Sequence, residues 1–252
     1  MKRGVGIAIV LCVITQLVVP SYGQRSDLAV LEQSIRQLED PKWKTRRDAF
    51  YILLKRGLPN VLRQWPERSD ELKLALIKLL ERENAFSREY RESVYKRTGV
   101  PLGEEYGDYH GDLIEAVTSL KDIRSLNALI GVIETGNMVT STLAEFGNDA
   151  LDRVVEVFNS GGTARVSAGL VLAKMLDAKN APKVSDPVPR QKIKDTLIRA
   201  AGDPSRFVRL AGIEGLRRVG GPEVVSLLQK LATSDPEETV RNAATEALKK
   251  PR

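Results

Sequence analysis

Asp203-Pro204-Ser205-Arg206-Phe207-Val208-Arg209 sets a pattern that recurs along the chain. Asp235-Pro236 is followed, six residues after the aspartate, by Arg241; Asp40-Pro41 is followed by Arg46; a weaker copy runs from Asn159 to Arg165. A small residue stands three positions after each arginine (Ala49, Ala168, Gly212, Ala244) and a leucine seven after (Leu53, Leu172, Leu216, Leu248). In two copies a glycine, Gly57 or Gly220, stands eleven after. Aspartate or asparagine suits a helix N-cap, and proline suits the next position, where no backbone donor is needed. Val208, Ala211, Gly212, Gly215, Leu216 and Val219 then return at the three-and-four spacing of one buried helical face. Each copy therefore predicts a helix start followed by a core stripe. The arginine lies one turn from the capping region, within reach of the cap of its own or an adjacent repeat. Small residues such as Gly212 and Ala244 let a neighbouring helix approach closely.

Outward from these copies the same reading covers most of the chain. Residues 27–57 read as a helical pair, with Leu28, Leu31, Ile35 and Leu38 on one stripe and Ala49, Ile52 and Leu53 on the other. Leu72, Leu76, Leu79 and Leu80 mark a strongly apolar helix over 69–83. Related turns recur at Gly57-Leu58-Pro59, Gly147-Asn148-Asp149 and Gly220-Gly221-Pro222. Further helices are predicted over 111–121, 123–135, 138–146, 149–160, 163–177, 190–201, 204–219, 222–233 and 236–249. No period-2 alternation argues for strands. The step from Arg209 to Arg241 is 32 residues; the step from Arg165 to Arg209 is 44, stretched by an irregular insertion at 178–189 with Pro182, Pro187 and Pro189. Paired helices at that period predict an all-α chain, an α-solenoid of stacked antiparallel helix pairs forming an armadillo-type superhelix.

A second departure covers 84–110. A helix is expected to run to about Arg97 and to end at Thr98-Gly99-Val100-Pro101, with an irregular, Gly- and acid-rich stretch from there to His110. The insertion carries Tyr90, Tyr95, Tyr106 and Tyr109, four of the six tyrosines, with Arg88, Arg91, Lys96 and Arg97 among them. Insertions on a repeat scaffold often carry the binding role, so these tyrosines are candidates for contact with a partner.

At the start, Lys2 and Arg3 precede an apolar run from Val5 to Val19, Pro20 breaks it, and Ser21-Tyr22-Gly23 places small residues for cleavage before Gln24. This reads as a signal peptide over 1–23, followed by the solenoid over 24–252, and predicts an exported protein, periplasmic or extracellular. The run is shorter than the roughly 20 residues a spanning helix needs. Cys12, the single cysteine, lies inside that segment. After cleavage, disulfides, thiolate nucleophiles and Cys-ligated metals are excluded. The formal charge of +6 is uneven: residues 187–221 hold eight Lys/Arg against three Asp/Glu.

In Asp203–Leu227 and Asp235–Leu248 the Asp-Pro, the Val-Arg, the Ala or Gly and the Leu stand as in HEAT repeats, in the bacterial HEAT-like or phycobilisome-lyase-type form, and the chain resembles that family. Gly220-Gly221-Pro222-Glu223-Val224-Val225 is similar to its inter-helix turn. The resemblance implies a right-handed superhelix whose second helices line a concave face used mostly to bind proteins. It implies no single activity, because function resides in sites rather than folds. Relatives with His-Glu iron ligands do not fit a chain with one histidine. Bilin lyases and DNA glycosylases of this build would need a chromophore partner or access to chromosomal DNA. Nothing here points to the first, and an exported protein lacks the second, so nucleic acid is not an expected partner.

No Gly-x-Ser-x-Gly elbow occurs, and Gly161-Gly162 lacks the Lys-Ser/Thr of a phosphate loop. A metal site would require His110, read as an exposed loop side chain, to join Asp108 and Asp112. That leaves a non-catalytic scaffold without cofactor that binds a protein through its concave face or its insertion. Arg206, Leu210, Ile213 and Arg217 form a candidate recognition stripe apart from the core stripe of their helix. An alternative is attraction of an anionic polymer or membrane surface by Arg190, Lys192, Lys194, Arg199, Arg206, Arg217 and Arg218. Asp40, Arg46, Leu53, Arg165, Leu172, Asp203, Arg209, Leu216, Asp235, Arg241 and Leu248 are read as structural.

Overall fold

The computed structural model describes residues 22–249, and the side chains of 27–249. The segment read as an export signal lies outside the described residues except for Tyr22 and Gly23, which open the first helix. The helices are α1 (Tyr22–Gln37), α2 (Trp43–Lys55), α3 (Leu58–Gln64), α4 (Pro66–Tyr90), α5 (Glu104–Ser119), α6 (Leu126–Ile130), α7 (Asn137–Glu145), α8 (Asn148–Ser160), α9 (Ala164–Met175), α10 (Pro187–Ala201), α11 (Arg206–Val219), α12 (Pro222–Ser234) and α13 (Glu238–Lys249). No strand occurs among the described residues.

Among the described residues six pairs stack in order: α1 with α2, α4 with α5, α6 with α7, α8 with α9, α10 with α11, and α12 with α13. The Arg-bearing helix is the second of its pair, because α11 packs broadly on α10 and only lightly on α12. The turn at Gly220-Gly221-Pro222 therefore joins successive layers rather than the two helices of one repeat. It needs glycine: Gly220 and Gly221 have φ of 67° and 96°, a region that other residues avoid.

From α7 through α9 and α11 to α13, second helices lie broadly against one another, whereas α8, α10 and α12 barely touch. Layers wedged in this way close toward the second-helix row, which forms the concave side. Small residues permit the closeness. A Cβ on Gly169 would stand 3.1 Å from the Ala211 Cβ of the next second helix, and one on Gly212 would stand 2.6 Å from the Ala201 amide nitrogen in its own pair. The core spine contains Leu53, Leu172 and Leu216, all buried, while Leu248 on the last helix is half-buried against it. Truncating one of the buried three to alanine would cost about 2–5 kcal/mol.

Three expectations need correction. First, Asp40, Asp203 and Asp235 are not N-caps. Their carboxylates accept from the amides two residues on, Lys42 at 2.7 Å, Ser205 at 2.9 Å and Glu237 at 3.0 Å, and each helix begins three residues after its aspartate. These are Asx turns, which compete with helix geometry for the same backbone.

Second, the stretch up to His110 is not irregular. After α4, a π-helical turn over Arg91–Tyr95 carries the chain to Thr98, Gly99 reverses it at φ 68°, and α5 begins at Glu104. Glu104 and Glu105 favour the first turn through the helix dipole. At the other insertion, Pro187 and Pro189 belong to the start of α10.

Third, the helix expected over 123–135 is broken into a 3-10 turn, α6 and a second 3-10 turn. The Asn84 Nδ2 donates to the Ala128 carbonyl at 2.9 Å, the acceptor that a continuing helix would offer to the Val132 amide. That amide turns to Leu129 instead.

Candidate functional site

The arginines of the repeated motif tie layer to layer. Arg209 Nη1 donates to the carbonyls of Asp203 (2.9 Å) and Pro204 (3.0 Å), and its Nη2 donates to Asp235 Oδ1 of the next layer at 2.9 Å. Its Nε lies 2.8 Å from Asp235 Oδ2, close enough for charge attraction but not aligned as a hydrogen bond. Burial opposes ionisation of Asp235, but the bonds from Arg209 and the Glu237 amide outweigh it and hold the carboxyl below the usual carboxylate range. Arg165 reaches Asp203 in the same sense, and its guanidinium lies 5.2 Å from the Phe158 ring centre. Arg241 repeats the two carbonyl bonds, to Asp235 at 2.6 Å and Pro236 at 3.0 Å.

At the other end Arg46 bonds the Asp40 and Pro41 carbonyls, both at 2.8 Å, and its Nε donates to Glu83 Oε1 at 2.6 Å. Glu83, fully buried on α4, takes the place that the motif aspartates hold elsewhere. Sequence reasoning passed over it, although it continues the Leu72-Leu76-Leu79-Leu80 stripe and so marks a carboxylate at a core position.

Glu83 also fixes two of the four candidate tyrosines. The Tyr106 hydroxyl donates to Glu83 Oε2 at 3.0 Å and the Tyr109 hydroxyl to Oε1 at 3.1 Å, and both rings pack against Trp43. Tyr109 has 0% exposure and Tyr106 is buried, so neither can meet a partner; their role is to satisfy a buried ion pair. Burial, and then the Glu83 charge, push both phenols far above their ordinary value. Tyr90 and Tyr95 do remain at the surface. Tyr90 donates to the Val100 carbonyl at 3.2 Å, and Tyr95 is 46% exposed.

The recognition stripe on α11 is also split. Ile213 is 2% exposed and belongs to the core, and Leu210 is half-buried, because the neighbouring layers cover that face. Arg206 lies 3.4 Å from Glu237 and over the Phe207 ring, and Arg217 pairs with Glu214 at 2.8 Å. In the basic region, Lys192, Lys194 and Arg218 likewise have partners in Asp152, Glu223 and Asp177. Arg199 lies over the Phe158 ring, and Arg190 is exposed. Much of the excess charge there is thus neutralised within the fold.

His110 is not a loop side chain. It sits half-buried on α5 with Nε2 2.9 Å from Asn84 Oδ1, and burial lowers its pKa. Asp108 and Asp112 stand two residues to either side, roughly on the opposite helix face, and Tyr51 donates to Asp112 Oδ2 at 2.9 Å. The three do not converge, and no metal-competent cluster of His, Cys, Asp and Glu occurs among the described residues. No described helix is long and apolar enough to cross a membrane.

On the concave row the open feature is a groove of about 540 Å³ between α2 and α5, lined by Arg47, Asp48, Tyr51, Ile52, Lys55, Glu105 and Asp108. Arg47 is held by Asp48 at 2.6 Å and by Glu105, and it lies over the Trp43 ring. Burial, with the bond to Asp112 second, pushes the Tyr51 phenol up to about 12. Ile52 is 39% exposed, and Lys55 and Asp108 face solvent. The groove thus offers an aromatic ring, an aliphatic side chain and one free charge of each sign on a rigid wall. None of the sequence-predicted partner residues lines it. Arg47, Asp48, Tyr51, Ile52 and Lys55 follow Arg46 at the spacing of the outward face of α2, and Glu105 and Asp108 come from the insertion, beside its tyrosines rather than among them.

Helix pairs stacked in layers around a continuous spine define an α-solenoid. Residues 173–249 match the family model described as HEAT repeats, so that part of the chain is a HEAT-repeat array. Two solved structures are similar overall, both designed armadillo repeat proteins. One, in complex with the peptide (KR)4, is 16% identical with a TM-score of 0.47 over 88% of this chain and 99% of that one. The other is 17% identical with a TM-score of 0.46 over 88% and 100%. No curated protein matches the chain.

Proposed function

We propose that this protein is an exported, non-catalytic scaffold that holds a segment of another protein against its concave side. The observation that supports it is the α2–α5 groove. There Tyr51, Ile52, Lys55 and Asp108 remain available on a wall already stiffened by Arg46, Glu83, Tyr106 and Tyr109. Aromatic and aliphatic anchors ringed by charge are the usual composition of protein-binding surfaces. Catalysis is not part of the reading, because the one histidine and the acids beside it point apart. Export rests on Lys2, Arg3 and the apolar run behind them.

A photoreactive amino acid at Ile52, with Val188 on the convex side as control, tests the binding face in the native compartment. One partner cross-linked from position 52, absent from 188, and bound less tightly in purified form by Arg47→Glu is the expected result. A partner trapped from Val188 alone would place recognition on the other side. Mass measurement of the envelope form tests export, with an N-terminus at Gln24 expected.

A further inference from the structure

The end of α4, with the π-helical turn and the return loop to Gly103, forms a spur. It bears Arg88, Arg91, Lys96 and Arg97, exposed and without an ion-pair partner among the described residues, unlike most of the cations around α10 and α11. Glu89 stands about 100° further round the helix from Arg88; Glu92, four residues after Arg88, shares its side of the helix, but no ion pair joins the two among the described residues. Two clefts meet at this spur and share Arg91. One, of about 230 Å³, lies beneath Tyr90 and Tyr95. The other, of about 450 Å³, runs from Arg88 and Arg91, with His110 at its back, to an apolar side formed by Ile130 and Val157; Glu134 is its single acid. Tyr95 and Val100 stand out at 46% and 57% exposure. Such π-turns cluster at functional sites.

We propose that this spur docks an acidic segment of a partner protein. A carboxylate is seated by Arg88 and Arg91, an adjacent aliphatic side chain lies on Ile130 and Val157, and Tyr95 covers the segment. Charge complementarity sets the choice of occupant: two guanidiniums that form no ion pair among the described residues line a cleft with one acid, Glu134, and an apolar side at Ile130 and Val157. Guanidinium groups match carboxylates through paired, planar hydrogen bonds. The proposal keeps the partner a protein, as above, but moves part of the recognition off the concave row.

The test is fluorescence anisotropy of the full chain with a short, neutrally labelled peptide alternating glutamate and leucine, at low salt, beside its lysine–leucine counterpart. The acidic peptide is expected to bind selectively. Arg88→Glu with Arg91→Glu should weaken it at least about tenfold, the scale of one lost charged contact, while Arg47→Glu in the concave groove leaves it unchanged. Circular dichroism of each variant establishes that it is folded. Failure to bind, equal binding of the lysine peptide, displacement by inorganic phosphate at matching concentration, or loss on Arg47→Glu alone would each overturn the proposal. So would Arg91-dependent sedimentation with phosphatidylglycerol vesicles in the absence of peptide binding, which would assign the spur to lipid. Photo-cross-linking from Ile52 stands whichever way this comes out, so the two readings fail separately.

Discussion

Replacing Arg209 by methionine keeps the apolar stem and removes the guanidinium. Asp235, a buried carboxylate, then keeps only the Glu237 amide at 3.0 Å, and the Asp203 and Pro204 carbonyls lose their donor. Breaking a buried pair from one side costs about 3–5 kcal/mol. Arg241 offers the internal comparison: it stands at the same place in the motif and makes the same two carbonyl bonds, but it is half-exposed and forms no ion pair among the described residues. Water can replace what Arg241→Met removes, at about 1–2 kcal/mol for two bonds. The substitutions should therefore differ by about 2 kcal/mol or more. Urea unfolding followed by circular dichroism measures both. Arg209→Met should also lower the denaturant slope, because α12 and α13 then melt ahead of the rest and less surface unfolds in concert. If the two variants fall within about 1 kcal/mol of each other, the arginine ladder does not couple the layers and the reasoning fails.

Spectrophotometric titration should find Tyr51, Tyr106 and Tyr109 still protonated at about pH 11 in the folded protein, with a jump in tyrosinate on adding urea, since burial raises all three. Burial lowers the His110 pKa below 6.5, so the unfolded chain takes up the proton first and stability falls as pH drops below about 6.5; melting temperatures from pH 7.5 to 5 should show a shallower fall for His110→Gln. Gly212→Ala would place a methyl 2.6 Å from a backbone nitrogen and should cost about 1–3 kcal/mol or more, measured by urea unfolding. Gly107→Ala, with nothing within 4 Å and a helical backbone, should stabilise by up to about 1 kcal/mol in the same assay.

What could be read in advance followed the range of the interaction. The Asp-Pro and the arginine six residues on meet within one turn, so the motif could be read off the page, and its repetition announced the stack. The role of the aspartate was harder to see, because an N-cap and an Asx turn ask for the same residue and differ in backbone by only a few positions. Glu83 escaped because its partner Arg46 is 37 residues away. The 104–110 stretch looked irregular because Gly107 and Gly111 depress helix propensity by about 1 kcal/mol each. Tyr106 and Tyr109, buried against Trp43 and Glu83, override that locally. A tyrosine bound for a partner and one bound for a core carboxylate are the same letter. Only the fold separated Tyr95 from Tyr109.

The side chain of Asn84, by occupying one carbonyl of α6, has a mechanical consequence. It leaves the third layer with a first helix of five residues; α7 itself carries no motif arginine, and Lys174, bonding Thr140 and Ser141, is the nearest substitute for a rung. Stretched end to end in an optical trap, the chain should part first at this seam, the blocks before and after it yielding at higher force. The protein is in that sense two stiff springs joined by a soft one, and a ligand gripping both blocks would feel the compliance of a single asparagine.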